Sequence, residues 1–231
     1  MTAIVDYGVG NLFSLRSSLE AIGEQPVVTG DTEEILRADR VILPGVGAFG
    51  DAARKLRDTG LDRAVTMAAE AGTPLMGICL GMQLLFEKSL EYGEHQGLGL
   101  LRGTVRPIRE ILEEAGADPE GKLKIPQMGW NALRFRRESP LLRYIREGEY
   151  VYFVHSFAAT GCGESLLADT EYGDWLTACV GQGNVYGCQF HPEKSGKTGL
   201  AILKAFCETE RDRAGLFFRR SICIRDRQCA C

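Results

Sequence analysis

One pentapeptide, Gly77-Ile78-Cys79-Leu80-Gly81, constrains the fold of this chain more than any other stretch. It lies between an apolar run, Thr73-Pro74-Leu75-Met76, and a helical pattern beginning Met82-Gln83-Leu84-Leu85-Phe86. Strand, raised side chain, then helix is the layout of the G-x-S-x-G elbow, with Cys in place of Ser. A residue lifted on so sharp a turn crowds its neighbours two places before and after it. Only glycine, lacking a Cβ, lets strand and helix close there. The turn sets the sulfur at a helix start, where partial positive charge favours thiolate, the reactive form of the thiol. The Leu80 backbone N–H is then free to face a developing oxyanion. On these five residues alone, a small buried Cys at a glycine-flanked strand end is the plainer reading.

The flanking segments supply the sheet that an elbow requires. Residues 2–6 form a short apolar run, 7–11 a loop, and Leu12, Leu15, Leu19 and Ile22 follow at helical spacing. Gly8 and Gly10 do not begin a dinucleotide fingerprint, because Phe13 stands where its third glycine would be. Strands are predicted at 26–28, at 40–43 (apolar inside, hence buried on both faces) and at 74–78, with helices at 48–57 and 61–71. This alternation predicts an α/β fold, an open and mostly parallel sheet flanked by helices. Ligands of such sheets bind at the carboxyl ends of strands, where both the Cys79 turn and the turn Pro44-Gly45-Val46-Gly47 lie.

From Gly93 the texture changes to a glycine-rich loop, a short strand near 104–106 and a polar, acidic stretch over 109–122. Residues 125–131 read as irregular. Residues 150–154 are β-branched and aromatic, a strand that ends in His155-Ser156-Phe157. Residues 165–170, 176–180 and 185–190 alternate with turn residues as antiparallel strands do, so the second half continues the same domain as a mixed sheet. At 231 residues the chain fills one α/β core and leaves little for a second. A net charge of −4 gives no electrostatic reason to expect nucleic acid or an anionic membrane as partner. No apolar run approaches a membrane span, and the first residues enter a strand directly, without a signal peptide. Eight Cys scattered through apolar segments suit a reducing cytoplasm, not a disulfide framework.

With three histidines, the search for a base to pair with Cys79 is short. His95 sits in a glycine-rich loop with no charged orienter at useful spacing, and reads as surface. His155 ends a strand and is a candidate. His191 is the better one: Pro192 pushes it to an extended conformation, where residues two apart share a side, so Glu193 lies beside it. A carboxylate on one imidazole nitrogen fixes the tautomer and stabilises the imidazolium. Spacing alone fits a strand-end His beside an unrelated surface Glu equally well.

Together, Gly-Ile-Cys79-Leu-Gly-Met-Gln83 and Gln189-Phe-His191-Pro-Glu193-Lys-Ser resemble the class I glutamine amidotransferases of the Cys-His-Glu type. Asp6-Tyr-Gly-Val-Gly-Asn11, Pro44-Gly-Val-Gly-Ala-Phe49 and Pro126-Gln-Met-Gly-Trp-Asn131 are similar to one branch of it, the glutaminase subunits of imidazole glycerol phosphate synthase in histidine biosynthesis. The five motifs stand in the family's order, and the resemblance runs from the first strand to about Glu208.

The resemblance implies that Cys79 attacks the side-chain amide of glutamine, with His191 as base and Glu193 as its orienter. It implies oxyanion donors on the backbone of Leu80 and Val46, the glycines around Val46 making a peptide flip sterically cheap. Glutamine would be held by Gln83, Glu91, the backbone of His155-Ser156-Phe157 and the neighbouring Gly45. Glu91 suits a counter-ion for the substrate ammonium, or else a solvated Glu beside Glu87. The heterodimer partner would be a (β/α)-barrel cyclase subunit, met by Asn11, Trp130, Asn131 and Lys194, although Trp130 also fits as a core plug. No cofactor and no metal are implied. The glutaminase of another amidotransferase, such as anthranilate synthase, is the nearest alternative, and Met82 and residues 126–131 speak against it. A non-catalytic glutamine-binding module would have lost its nucleophile or base. The amidotransferase domain is expected over 1–208, with 209–231 a poorly ordered extension. Six Arg and two Asp give residues 211–231 a charge of +4, and Cys223, Cys229 and Cys231 match no familiar zinc spacing.

Overall fold

Consecutive apolar residues in the early strands leave no face for water. The computed structural model, which describes residues 1–210 apart from Pro119, covers them from both sides. β1 (Thr2–Val5), β2 (Val27–Thr29), β3 (Arg40–Gly45) and β4 (Leu75–Cys79) pair in parallel in the order β2-β1-β3-β4. Val5, Val41, Leu43 and Leu75 enter one core, while Ile4, Ile42, Met76 and Ile78 enter the other. Each strand feeds two cores in alternation because successive side chains leave a pleated strand on opposite faces.

The helices divide between those cores. α1 (Leu12–Ala21) sends Leu15 and Leu19 to one. α3 (Phe49–Asp58) and α4 (Leu61–Glu70) line the other with Ala52, Leu56, Ala64, Val65 and Ala68. Between β2 and β3 lies an unexpected helix, α2 (Thr32–Arg37), capped by Asp31, whose carboxylate accepts the Glu34 N–H at 2.9 Å. It buries only Ile35, too little apolar period to be seen in sequence.

After the elbow the structure departs from expectation. The helix predicted through Phe86 is only α5 (Leu80–Leu84), and Phe86 begins β5 (Phe86–Ser89). A loop takes the carbonyls the helix would have used. Leu98 N–H donates to Leu84 O at 2.8 Å, Leu100 and Leu101 to Leu85 O at 2.9 and 3.0 Å, and Gly99 to Phe86 O at 3.1 Å.

β6 (His95–Gln96) and β7 (Leu101–Pro107) follow, then α6 (Ile108–Glu114) inside the stretch read as merely polar and acidic. Ile108 and Leu112 bury one stripe of it, and Ile108 lies just outside the boundary set from composition. The segment read as irregular is β8 (Gln127–Ala132), followed by β9 (Arg134–Phe135). β8 pairs antiparallel with β10 (Tyr150–His155), from Gln127 opposite His155 to Ala132 opposite Tyr150. Pro126 and Gly129, with Gly129 at φ 141°, hid it.

β11 (Phe157–Thr160), β12 (Leu166–Tyr172), β13 (Asp174–Gln182), β14 (Val185–Cys188) and α7 (Gly196–Cys207) complete the chain. β14 joins β4 in parallel, and β13, β12 and β9 continue antiparallel, giving one eight-stranded sheet, β2-β1-β3-β4-β14-β13-β12-β9. The mixed continuation is as expected, but β8 and β10 form a sheet of their own, and β11-β7-β5-β6 a third. The fold also passes Glu208: Arg40 donates to Thr209 O at 3.1 Å, and the buried Thr209 hydroxyl to Phe206 O at 2.6 Å. The expectation for the remaining extension, 211–231, lies outside the described residues.

Candidate active site

Cys79 joins β4 to α5 at φ 54° and ψ −112°, a conformation a non-glycine residue holds only when its surroundings enforce it. A Cβ on Gly81 would stand 1.8 Å from Leu43 O, and one on Gly77 2.6 Å from Gly81 O, so both elbow glycines are obligatory. Leu80 is the first residue of α5, and its N–H has no intrahelical acceptor. With five residues, α5 contributes little macrodipole. The charge that faces the sulfur is instead that of His191.

The parallel pairing of β14 with β4, Cys188 beside Ile78, delivers the chain after β14 to the elbow. His191 lies extended at φ −98° and ψ 99°, as a residue before proline should. Its Nδ1 meets Glu193 Oε1 at 2.8 Å, both side chains at most 4% exposed, and it shares the cavity lining with Cys79. Burial alone would lower the His191 pKa, but hydrogen bonds and charge from Cys79 and Glu193 outweigh it and raise it to about 9. The second Glu193 oxygen is buried with no hydrogen-bond partner among the described residues.

His155 is of the opposite kind. Its ring nitrogens lie 2.8 Å from Phe157 O and 2.9 Å from the Gln127 side-chain amide. Gln127 in turn donates to Asn131 at 3.0 Å, and Asn131 to Glu171 O at 3.2 Å. Burial, the largest cause, lowers the His155 pKa to about 4, leaving it neutral and committed. His95 is not the surface residue expected: it is half-buried, its ring 2.8 Å from where a Cβ on Gly50 of α3 would stand.

A cavity of about 520 Å³ opens over the Cys79 sulfur. Val46, Leu80, Gln83, Glu91, His155, Ser156, Phe157, His191 and Lys194 line it together with Cys79, whereas Gly45 sits behind it in a small cleft with Asn11, Pro44 and Glu193. Glu91 is not solvated: it is 7% exposed, and one oxygen accepts the Phe49 N–H at the start of α3. Burial foremost raises its carboxyl pKa, against the opposing pull of that bond. Gln83 gives its amide nitrogen to Phe157 O and to Gln189 Oε1, each at 3.0 Å, tying α5 to β11.

Sequence reasoning missed Gln189, buried behind the sulfur, and the polar wall residues Arg109 and Tyr92. Gln189 Nε2 lies 3.8 Å from the Cys79 sulfur. Its place two residues before His191 repeats the same-side spacing used for Glu193, and could have revealed it. Arg109, held by Asp118 at 2.8 Å and by Leu123 O at 2.9 Å, and Tyr92, at φ 51° and 89% exposed, carried no comparable signal.

Beside the cavity, β8 and β10 present Met128, Trp130 and Tyr150 to solvent, each more than half exposed. Trp130 packs edge-on against Tyr152 at 5.9 Å, so it is no core plug. Asn131, half-buried, accepts from Gln127 and donates to Glu171 O. Asn11 caps α1 by accepting the Ser14 N–H at 3.4 Å, and Lys194 is exposed at the cavity rim.

The sequence matches the family described as Glutamine amidotransferase class-I over residues 3–209. It is 50% identical over 207 residues to the imidazole glycerol phosphate synthase subunit HisH of Bacillus licheniformis, spanning 89% of this chain and 95% of that protein. To the subunit of the same name from Oceanobacillus iheyensis it is 46% identical over 212 residues, 91% of this chain and 100% of that one. A crystal structure described as a glutamine amidotransferase superposes with a TM-score of 0.66 at 21% identity, over 89% of this chain and 98% of the other, a likeness of fold.

Proposed function

The chain belongs to the class I glutamine amidotransferases, and on that premise we propose that it is the glutaminase subunit of an imidazole glycerol phosphate synthase. It hydrolyses L-glutamine to glutamate and ammonia, and the ammonia passes to a cyclase that makes imidazole glycerol phosphate and an aminoimidazole carboxamide ribotide in histidine biosynthesis. The observation that carries this reading is the meeting of Cys79 and His191 in the lining of one cavity, with Glu193 on Nδ1 of the imidazole.

Cys79 attacks the glutamine side-chain carbon as its proton resides on His191, and the tetrahedral oxyanion is met by the backbone N–H groups of Leu80 and Val46. Collapse breaks the carbon–nitrogen bond, His191 gives its proton to the departing ammonia, and a glutamyl thioester remains. Acylation removes the sulfur charge, one of the supports that raise His191 to about 9. The neutral imidazole is then a better base for the water that cleaves the thioester and returns glutamate. Glu91 is the counter-ion for the substrate ammonium, and the backbone of residues 155–157 walls the opposite side.

The partner is a (β/α)-barrel cyclase that covers the Met128, Trp130 and Tyr150 face beside the cavity. A solvent-exposed aromatic patch of this kind is a feature of protein–protein contacts. No helix among the described residues is long and apolar enough to cross a membrane. The five described cysteines are free and buried, which suits the cytoplasm. Purified with such a cyclase, the chain should form a one-to-one complex that makes imidazole glycerol phosphate from glutamine. Trp130→Ala should weaken the complex about tenfold or more in a titration, as loss of a buried aromatic anchor does. A complex that ignores glutamine, or an affinity unmoved by Trp130→Ala, contradicts the respective half of the proposal.

A further inference from the structure

The motif Asp6-Tyr-Gly-Val-Gly-Asn11 connects β1 to α1. Tyr7 within it is buried, 4% exposed, although a loop tyrosine could reach solvent. Its hydroxyl donates to Pro44 O at 2.8 Å, at the start of the Pro44-Gly45-Val46-Gly47 turn. The next residue, Gly45, faces both that hydroxyl and the elbow. A Cβ there would stand 2.9 Å from the Tyr7 hydroxyl, 2.8 Å from the Gly81 nitrogen and 3.0 Å from the Leu80 Cβ. Tyr7 hydroxyl and elbow backbone therefore meet on one side of Gly45 in a single row of contacts that only a glycine leaves room for. The same loop grips Pro44 a second time, since a Cβ on Gly10 would meet two Pro44 ring carbons at 3.3 Å.

We infer that Tyr7 is a positioning residue for glutamine hydrolysis, its hydroxyl clamping the Pro44 peptide and setting the separation between the Val46 and Leu80 N–H groups that receive the oxyanion. The inference rests on the glutaminase reading above and deepens it. Leu80 belongs to the elbow and Val46 to a turn on another strand, so nothing covalent fixes the gap between them. Gly45 is in register with Cys79 across β3 and β4, which aligns the two along the strands. Their separation is set by what Gly45 is pressed against. An oxyanion pocket stabilises only if both donors lie about 2.7–3.1 Å from the oxygen, so a shift of half an ångström in the row matters. Burial, and secondarily the nearby Cys79, push the Tyr7 hydroxyl above its ordinary pKa of 10.0, so it stays a donor across the working pH range.

The test is Tyr7→Phe in the complex with the cyclase, which removes one oxygen and keeps the ring. Three quantities are read: kcat and KM for glutamine, the alkylation rate of Cys79 by iodoacetamide, and the melting temperature. Displacement of one of two oxyanion donors predicts a kcat lower by about tenfold or more, short of the ~10²–10³ seen when a donor is removed outright. KM should stay within about twofold and alkylation unchanged, because displacement at a saturated carbon forms no oxyanion. Gly45→Ala pushes the same row apart from its middle, and should reproduce the pattern if Tyr7→Phe fails to fold. A kcat within twofold of the parent overturns the inference. So does a parallel fall in alkylation, which would place the effect on Cys79 or on the whole fold. A parent complex that hydrolyses no glutamine at all contradicts the glutaminase reading instead, whatever the variant does.

Discussion

Two histidines within reach of one cavity carry opposite electrostatic histories. Cys79 and Glu193 outweigh burial at His191 and raise its pKa to about 9, whereas burial lowers that of His155 to about 4. Only the first cycles a proton at neutral pH without leaving its partners. His191→Asn should lower glutamine turnover by about a hundredfold or more, the usual scale for a lost acid–base group. His155→Asn should cost much less and raise KM through the backbone it supports. Comparable kcat losses in the two variants would reverse the assignment.

The same shift links stability to pH. Folding raises the His191 pKa from 6.5 to about 9, so its contribution is complete below 6.5 and is lost as pH rises through 9. The melting temperature of the parent should therefore decline between pH 6.5 and 9 by more than that of Glu193→Gln, which lacks the carboxylate partner. Equal slopes would mean that the pair is not charged. His191 and Glu193 were legible through the family's His-Pro-Glu motif. The spacing argument left a surface Glu equally open, and Glu193 in fact reaches the ring from a 3-10 turn, Pro192–Lys194, not from an extended segment. Gln83 was legible as a neighbour of the nucleophile but not as the tie to Phe157 O, which depends on a strand 74 residues away.

At the scale of elements, legibility followed how much a segment relies on its own pattern. β1, β3 and β4 declare themselves by unbroken apolar runs, and α1 and α3 by their periods. α5 ends early because amides of residues 98–101 take its last carbonyls, a contact no local window contains. β8 is a strand because β10 lies opposite it, not because Pro126 and Gly129 favour one. The end of the chain is read from the same logic. α7 buries Ile202, Leu203 and Phe206, and Thr209 is fastened to Arg40. The family match ends at residue 209. We take the amidotransferase unit to close there and residues 211–231 to be an extension with no part in glutamine chemistry. Deleting 211–231, whose sequence has no long apolar periodicity, should leave the melting temperature within about 1–2 °C of the parent and turnover unchanged. A large drop in either would show that the extension packs on the domain.

At the scale of the whole molecule, one eight-stranded sheet brings the proposed nucleophile, base and oxyanion turn together from three different strand ends. β4 brings Cys79, the chain after β14 brings His191, and β3 brings Val46. This is the carboxyl edge at which parallel sheets bind ligands, and it could be anticipated from the alternation of strands and helices. The two smaller sheets could not, since strands such as β7 and β11 pair across long intervals. Those sheets supply the far wall of the cavity through residues 154–157, and β8 with β10 supplies the aromatic face beside it. The arrangement separates two tasks, liberating ammonia at Cys79 and handing it to a second protein. They are best told apart by substituting Cys79→Ala in the complex with the cyclase and measuring synthesis of imidazole glycerol phosphate with glutamine or with ammonium salts as nitrogen source. Synthesis from glutamine should disappear while synthesis from ammonium stays within about twofold of the parent, since the thiol acts only before ammonia exists. Glutamine-dependent synthesis that survives, or ammonium-dependent synthesis that falls in step, would contradict the account.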